Sequence, residues 1–215
     1  NEGALYVSDD FEVTDALKVH AGLRYSSFQH SGYISFRDYI KNDFQSNDDN
    51  YRHIEPRISF RYRLTPSSSI KGAYTQNYQY IHLASTSSVS LPTDLWVPSS
   101  SEIKPKFADQ YAIGYFKNLK DNMYETSIEA YYKEMTNLLE YKEGELPEDN
   151  TNSSSDGSFA FGNGDSYGIE VLLRKNKGKT TGWIGYTLSK TTRHFDEVNA
   201  GISFPAKYDR RHDLS

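Results

Sequence analysis

The sequence contains no cysteine. That removes disulfides, zinc–thiolate sites and thiol catalysis together, and leaves the redox compartment undetermined. Long apolar runs are missing as well: even the uncharged stretch Asn77 to Thr93 is full of Ser and Thr. A membrane-spanning helix, which needs about 20 apolar residues in succession, is therefore excluded. Neither sign of charge dominates, since 24 Lys and Arg stand against 29 Asp and Glu, a net charge of −5 spread along the chain. This disfavours nucleic acid as a partner, because such binding needs a basic face. No basic segment followed by an apolar run opens the chain at Asn1, so the expectation is either a cytosolic protein or a first residue that is not the native start. What the sequence does have is aromatic: 14% of 215 residues, 18 of them Tyr, against only 36% hydrophobic residues. Disordered chains are poor in aromatics, so this one folds.

The dominant pattern has a period of two. Ile54, Pro56, Ile58, Phe60, Tyr62 and Leu64 fall on one face, while Glu55, Arg57, Ser59, Arg61 and Arg63 fall on the other. A helical period fits neither set, so this is a strand of about ten residues. The same alternation runs through Leu17 to Tyr25, Tyr124 to Lys133 and Tyr167 to Arg174, and further strands are expected near 3–12, 70–79, 107–117 and 182–192. That makes eight, with a ninth beginning near Tyr208.

The connections come in two alternating lengths. Tight joints occur at Thr14 to Ala16, Thr65 to Ser69, Asn118 to Asn122 and Asn176 to Lys179; long polar segments fill roughly 28–52, 80–106, 135–165 and 193–207. A soluble sandwich has no reason to place every short turn at one end and every long loop at the other. A transmembrane β-barrel has one, with short periplasmic turns and long outer loops. Tyr25, Tyr62, Tyr124 and Tyr132, near strand ends, suit an interfacial aromatic girdle. A soluble β-sheet whose tyrosines pack a core or line a sugar-binding face remains open, because alternation alone also suits a one-sided soluble sheet.

Several runs resemble TonB-dependent outer-membrane receptors. Ser8 to Tyr25 is similar to a family hairpin in which an acidic–aromatic pair leads to a Gly-Leu-Arg-Tyr strand, and Ile54-Glu55-Pro56-Arg57 to the start of the next strand. Ser90 to Pro98, Ile103-Lys104-Pro105, Gln110 to Tyr115, Glu129 to Lys133 with Met135, Tyr167 to Glu170, Gly185 to Lys190 and Tyr208 to Asp213 resemble the Bacteroidetes branch. The resemblance spans nearly the whole chain. It implies active import across the outer membrane of a Gram-negative bacterium, through a 22-stranded barrel filled by a plug and energised through periplasmic TonB. Eight or nine strands cannot close such a barrel, neither plug nor TonB-contacting segment is recognisable in 1–215, and Leu214-Ser215 lacks the family's terminal aromatic strand. If short turns are periplasmic, both Asn1 and the start of the last strand lie on the outer side. The expectation is therefore an all-β, antiparallel transmembrane barrel segment, residues 1–215 being a partial barrel domain from the middle of a larger one. Its partners would be outer-membrane lipid, and the plug and TonB through other parts of the chain; a surface lipoprotein partner is left open. A soluble Tyr-rich carbohydrate-binding module and a small self-contained outer-membrane barrel stand as alternatives.

Candidate chemistry is sparse. Gly164-Asp165-Ser166-Tyr167-Gly168 matches the pattern of a nucleophile elbow, but that motif works at a strand-to-helix turn, and here it enters a strand. The six histidines, His20, His30, His53, His82, His194 and His212, show no metal-binding spacing. The acidic loop Asn42 to Asn50 lacks the ordered ligand pattern of a calcium loop. An outer-rim catalytic cluster would have only scattered candidates in Asp94, His82 and His194. Neither catalytic residues, nor metal ligands, nor a cofactor are expected, and the protein is read as no enzyme. Arg57, Arg61, Arg63, Glu125, Glu129, Glu170 and Arg174 occupy the polar phase of their strands and are expected to face a lumen, where water or a plug can satisfy them. Ile58, Phe60, Ile128, Ala130, Ile169 and Val171 are expected to face lipid. For cargo binding the candidates are Tyr78, Tyr80, His82 and Trp96, aromatic groups in a segment whose backbone is restricted by Pro92 and Pro98.

Overall fold

The computed structural model describes residues 1–31, 48–84, 95–144 and 158–215. Eight long strands form one antiparallel sheet: β1 (Glu2–Glu12), β2 (Leu17–Ser31), β3 (Asp48–Thr65), β4 (Ser68–Gln79), β7 (Lys106–Leu119), β8 (Tyr124–Tyr141), β9 (Phe159–Lys175) and β10 (Gly182–Phe195). They lie side by side in chain order, and the short β11 (Phe204–Pro205) and β12 (His212–Leu214) both pair with the far edge of β10. Between β4 and β7 the chain makes a separate two-stranded hairpin, β5 (Ile81–Ala84) with β6 (Leu95–Pro98). Among the described residues, helical structure is confined to a 3₁₀ turn at Asn199–Gly201 and to Ser158, which is also 3₁₀.

All eight expected strands are present, but most are longer than expected. β3 and β8 reach 18 residues each, well beyond the 9–11 that cross a bilayer. Part of what reads as loop at 28–52 and 135–165 is thus strand, continuing past the apolar zone. The tight joints sit together at one end of the sheet, here the turn end. At the first, the Thr14 hydroxyl oxygen accepts bonds from Ala16 N and Leu17 N at 3.3 and 3.0 Å. At the β7–β8 joint, Lys120, Asp121 and Asn122 all have φ between 50° and 62°, which is costly for residues with a Cβ and tolerated best by Asn and Asp.

Period two sorts the side chains into two faces. One pairing row runs Leu17, Tyr62, Ile70, Tyr115, Ile128, Val171, Tyr186, Leu214, across every long strand from β2 to β10 and on to β12. Its neighbour on the same face carries Val19, Phe60, Gly72, Ile113, Ala130, Ile169 and Leu188. Much of this face is left uncovered: Ile113 is 58% exposed and Ile128 50%. A broad, continuous apolar face left bare is foreign to a soluble domain. Gly72 is there because the Phe60 ring lies across it; a Cβ at that position would sit 2.4 Å from the ring.

The apolar window drifts as it crosses the sheet. Leu17 is the turn-end limit of the window Leu17 to Tyr25 on β2, whereas its row-mate Tyr186 sits in the middle of Ile184 to Leu188 on β10. Tilted strands crossing a flat slab must stagger in this way. At the loop end the window closes on four row-mates, Tyr74, Tyr111, Tyr132 and Tyr167. The next row beyond them is Gln76, Asp109, Glu134 and Asp165. Tyr74 donates to Asp109 at 2.6 Å and Tyr132 to Asp165 at 2.8 Å, so each ring lies toward the apolar side and each hydroxyl toward the polar one.

Candidate functional site

The opposite face is polar, and its charges are sorted. One row reads Glu12, Lys18, Arg61, Lys71, Gly114, Glu129, Glu170, Thr187, Asp213, basic over β2 to β4 and acidic from β8 to β12. All seven residues singled out for the polar phase share this face: Arg61, Glu129 and Glu170 in that row, Arg57 and Arg63 at even spacing from Arg61, and Glu125 opposite Arg174. They differ in what they touch. Arg57 donates to Asn77 at 3.0 Å, Arg63 to the Asp15 carbonyl at 2.8 Å, and Arg174 stands 3.8 Å from Glu125. Lys71 lies over the Phe116 ring at 4.0 Å.

Toward the loop end the sheet opens. The β3–β4 ladder stops at Arg57–Thr75, while β3 continues against β2 alone and β4 against β7 alone. Tyr78 and Tyr80 bridge that gap, and the β5–β6 hairpin follows directly on them. Tyr80, 2% exposed, stacks on Phe28 with ring centres 5.1 Å apart, and its hydroxyl lies 2.6 Å from Ser26 Oγ and 2.9 Å from His53 Nδ1. Tyr78 stacks on His53 at 3.7 Å. His82 is fully buried with Nε2 2.9 Å from Ser99 Oγ; burial, with Lys106 adding to it, pushes its pKa down to about 4. Ala84, Val97 and Ile103 join Leu139, Tyr141 and Phe159 in a small core that fastens the hairpin to the ends of β8 and β9. Trp96, by contrast, is 64% exposed. Of the four cargo-binding candidates, then, Tyr80 and His82 are interior, Tyr78 is half-buried and Trp96 presents itself to solvent.

Two buried carboxylates, Glu55 and Glu140, were not legible in the sequence. Glu55, 0% exposed, accepts two bonds from Arg24 Nη1 at 2.9 and 3.1 Å. Glu140 holds Arg193 at 2.9 Å and also Lys207. The pairing row that joins Arg24 to Glu55 follows from the alternation once the β2–β3 register is known, but a long connection does not set that register. The Tyr208 to Asp213 run lies along β10: the Arg193 guanidinium is 5.4 Å from the Tyr208 ring centre, Asp209 Oδ1 accepts from Thr191 N at 2.7 Å, and Ser189 Oγ donates to the Arg210 carbonyl at 2.9 Å.

Ser166 is inside β9, its hydroxyl 2.9 Å from that of Thr191. No strand-to-helix turn surrounds it, so the geometry of an elbow nucleophile is missing there. Among the described residues no three His, Asp or Glu side chains gather to hold a metal. Residues 42–47 of the acidic loop, and Pro92 and Asp94, lie outside the described residues.

The same architecture occurs in solved outer-membrane proteins. The pyoverdine outer membrane receptor FpvA from Pseudomonas aeruginosa superposes with a TM-score of 0.64 at 16% identity, covering 99% of this chain and 27% of that one. The FrpB iron transporter from Neisseria meningitidis gives 0.63 at 13% identity, covering 96% and 28%. The alcaligin receptor FauA from Bordetella pertussis gives 0.59 at 16%, covering 99% and 33%. The chain thus spans about a quarter to a third of the length of these structures. No curated protein sequence matches it. Residues 1–210 match the family model described as TonB dependent receptor-like, beta-barrel. With that match over nearly its whole length, the chain belongs to the TonB-dependent receptor β-barrel family.

Proposed function

We propose that these residues are a stretch of wall in a TonB-dependent active importer of the Gram-negative outer membrane, of the Bacteroidetes type, a transporter and not an enzyme. The observation that carries this reading is the two-faced sheet: a bare apolar face closed by a row of four tyrosines, backed by a face of sorted charge. The apolar face meets lipid, and Arg57, Arg61, Arg63, Glu125, Glu129, Glu170 and Arg174 face the lumen, where water and a plug contact them. The remaining strands, the plug and the TonB-contacting segment belong to other parts of the protein, and the exposed edge of β1 is where the barrel continues. Cargo is met at the loop end. Trp96 and Tyr78 supply the contact there, and Tyr80 and His82 hold the hairpin that carries Trp96. FpvA binds pyoverdine and FrpB is an iron transporter, so an iron chelate is the first cargo to test.

The experiment uses the intact receptor in its host. Cells carrying Trp96→Ala or Tyr80→Ala are compared with wild type for uptake of radiolabelled ferric chelates and cobalamin, with and without TonB, alongside the yield of folded barrel. TonB-dependent uptake that falls in Trp96→Ala at normal yield supports the reading. Uptake that is indifferent to TonB overturns it.

A further inference from the structure

The apolar face of β7 to β10 ends in opposite charges at its two ends. At the loop end it gives way to Asp109, Glu134 and Asp165. At the turn end it gives way to lysine. Residues 117–124 and 175–181 contain five lysines, at 117, 120, 175, 177 and 179, against one carboxylate, Asp121, in a chain whose net charge is −5. The two turns form one surface: Asn176 N donates to the Met123 carbonyl at 2.8 Å, and Lys177 Nζ to the Asp121 carbonyl at 2.8 Å. Lys177 thus bonds the main chain of Asp121 and leaves its carboxylate alone. Among the described residues none of these five lysines forms an ion pair.

Their placement relative to the apolar face decides what they can meet. Lys117 lies in one row with Thr126, Leu173 and Ile184, and Lys175 in the next with Leu119 and Tyr124. Both therefore stand in the apolar phase, at its turn-end border. The Lys120 ammonium is 5.8 Å from the centre of the Tyr124 ring. Long side chains at such a border lay their methylenes on apolar surface and extend the charge to the interface. A soluble anion would engage the charge but gain nothing from Leu119 and Leu173, whereas a phospholipid fills both halves, phosphate on ammonium and acyl chain on leucine.

We propose that the turn end of β7 to β10 is a seat for anionic phospholipid headgroups, with Lys117, Lys120, Lys175 and Lys179 holding the phosphates at the level of Tyr124. The inference rests on the apolar face being the lipid face. It would tie this sector of the barrel to the inner leaflet of the outer membrane, where phospholipid would meet the short turns.

The test uses the intact receptor in nanodiscs of phosphatidylcholine with rising fractions of phosphatidylglycerol, counting retained lipids by native mass spectrometry. Lys117→Gln/Lys175→Gln/Lys179→Gln is compared with Lys71→Gln on the opposite face. A lysine near an anionic surface is worth about fivefold in affinity, so the triple variant should lose at least about tenfold in phosphatidylglycerol retention. Lys71→Gln should keep it. Wild-type retention in the triple variant overturns the proposal, as does displacement of lipid by inorganic phosphate at an ionic strength where sodium chloride has no effect. Heat-modifiable migration on gels checks folding first. If the triple variant fails that check, Lys120→Gln and Lys179→Gln, which lie in the turns alone, replace it and should each lose several-fold. If the wild-type receptor itself shows no heat-modifiable barrel, the lipid-face reading fails rather than the headgroup seat.

Discussion

Arginine at position 128 probes the facing of the wall most sharply. Ile128 is half exposed on the apolar face, in one row with Tyr115 and Val171. On β8 it lies midway between Tyr124 and Tyr132. Four residues at about 3.4 Å each place it ~14 Å along the strand from either tyrosine, which is ~10 Å along the membrane normal at a tilt of about 40°. An arginine side chain reaches roughly 6–7 Å, so it cannot bring its charge to either interface. Ile128→Arg should therefore cost about 2–4 kcal/mol. The neighbouring residue supplies the control. Glu129 lies opposite Glu170 on the polar face, where Glu129→Arg exchanges a like-charged pair for an opposite one and should change stability by less than about 1 kcal/mol. The assay is equilibrium unfolding of the intact receptor in lipid bilayers by denaturant, with wild type as reference. Equal costs for the two variants, or a larger cost at Glu129, would refute the assignment of faces.

Three further outcomes follow from the loop end. Arg24→Ala leaves the buried Glu55 carboxylate without its partner and should cost about 3–5 kcal/mol, more than Glu55→Gln, which removes the charge itself; denaturant midpoints that reverse this order would contradict the pairing. A Cβ on Gly162 would lie 2.1 Å from the His194 carbonyl oxygen, whereas one on Gly182 meets nothing within 4 Å, so Gly162→Ala should destabilise by roughly 1–3 kcal/mol and Gly182→Ala by less than about 0.5 kcal/mol, as read by thermal unfolding. His82 titrates near 4 when the hairpin is seated and near 6.5 when it is released, so between those values the released form binds more protons. Attachment of the hairpin should accordingly weaken as pH falls from about 6.5 to about 4, by up to ~3 kcal/mol, and stay constant above about 7. Hydrogen exchange at Ile81 to Ala84 measures it, and protection independent of pH would refute it; His82 Nδ1 has no partner among the described residues to receive a second proton.

The wall was legible in the sequence because its two solvents differ. Where one face meets lipid and the other water, a one-residue slip puts charge in hydrocarbon, so alternation is enforced and can be read. Arg61, Glu129 and Glu170 were assigned to one face on that basis, and they share one pairing row. Beyond Tyr132 the constraint lapses. β8 runs on to Tyr141, but a bulge between Met135 and Leu138, with Asn137 at φ 55°, shifts the register. The alternation breaks there, and its length depends on pairing with β9 alone. The β5–β6 hairpin escaped for another reason: four-residue apolar runs such as Ile81 to Ala84 carry no usable period. The roles of Tyr80 and His82 depend on non-local partners. Tyr80 is buried by Ser26 and Phe28, more than 50 residues earlier in the chain, across a connection whose register no local pattern sets.

The most direct test asks whether one face of this sheet meets lipid and the other a lumen. Residues 1–215 contain no cysteine, so, with any cysteine elsewhere in the receptor replaced, single cysteines can be placed in turn at 126 to 133 on β8 of the intact, membrane-embedded receptor and labelled with a nitroxide. Collision rates with oxygen, which partitions into lipid, are then compared with those of a water-soluble nickel chelate. Strict alternation is expected, with positions 126, 128, 130 and 132 favouring oxygen and 127, 129, 131 and 133 not. Reversed alternation, or none, would contradict it.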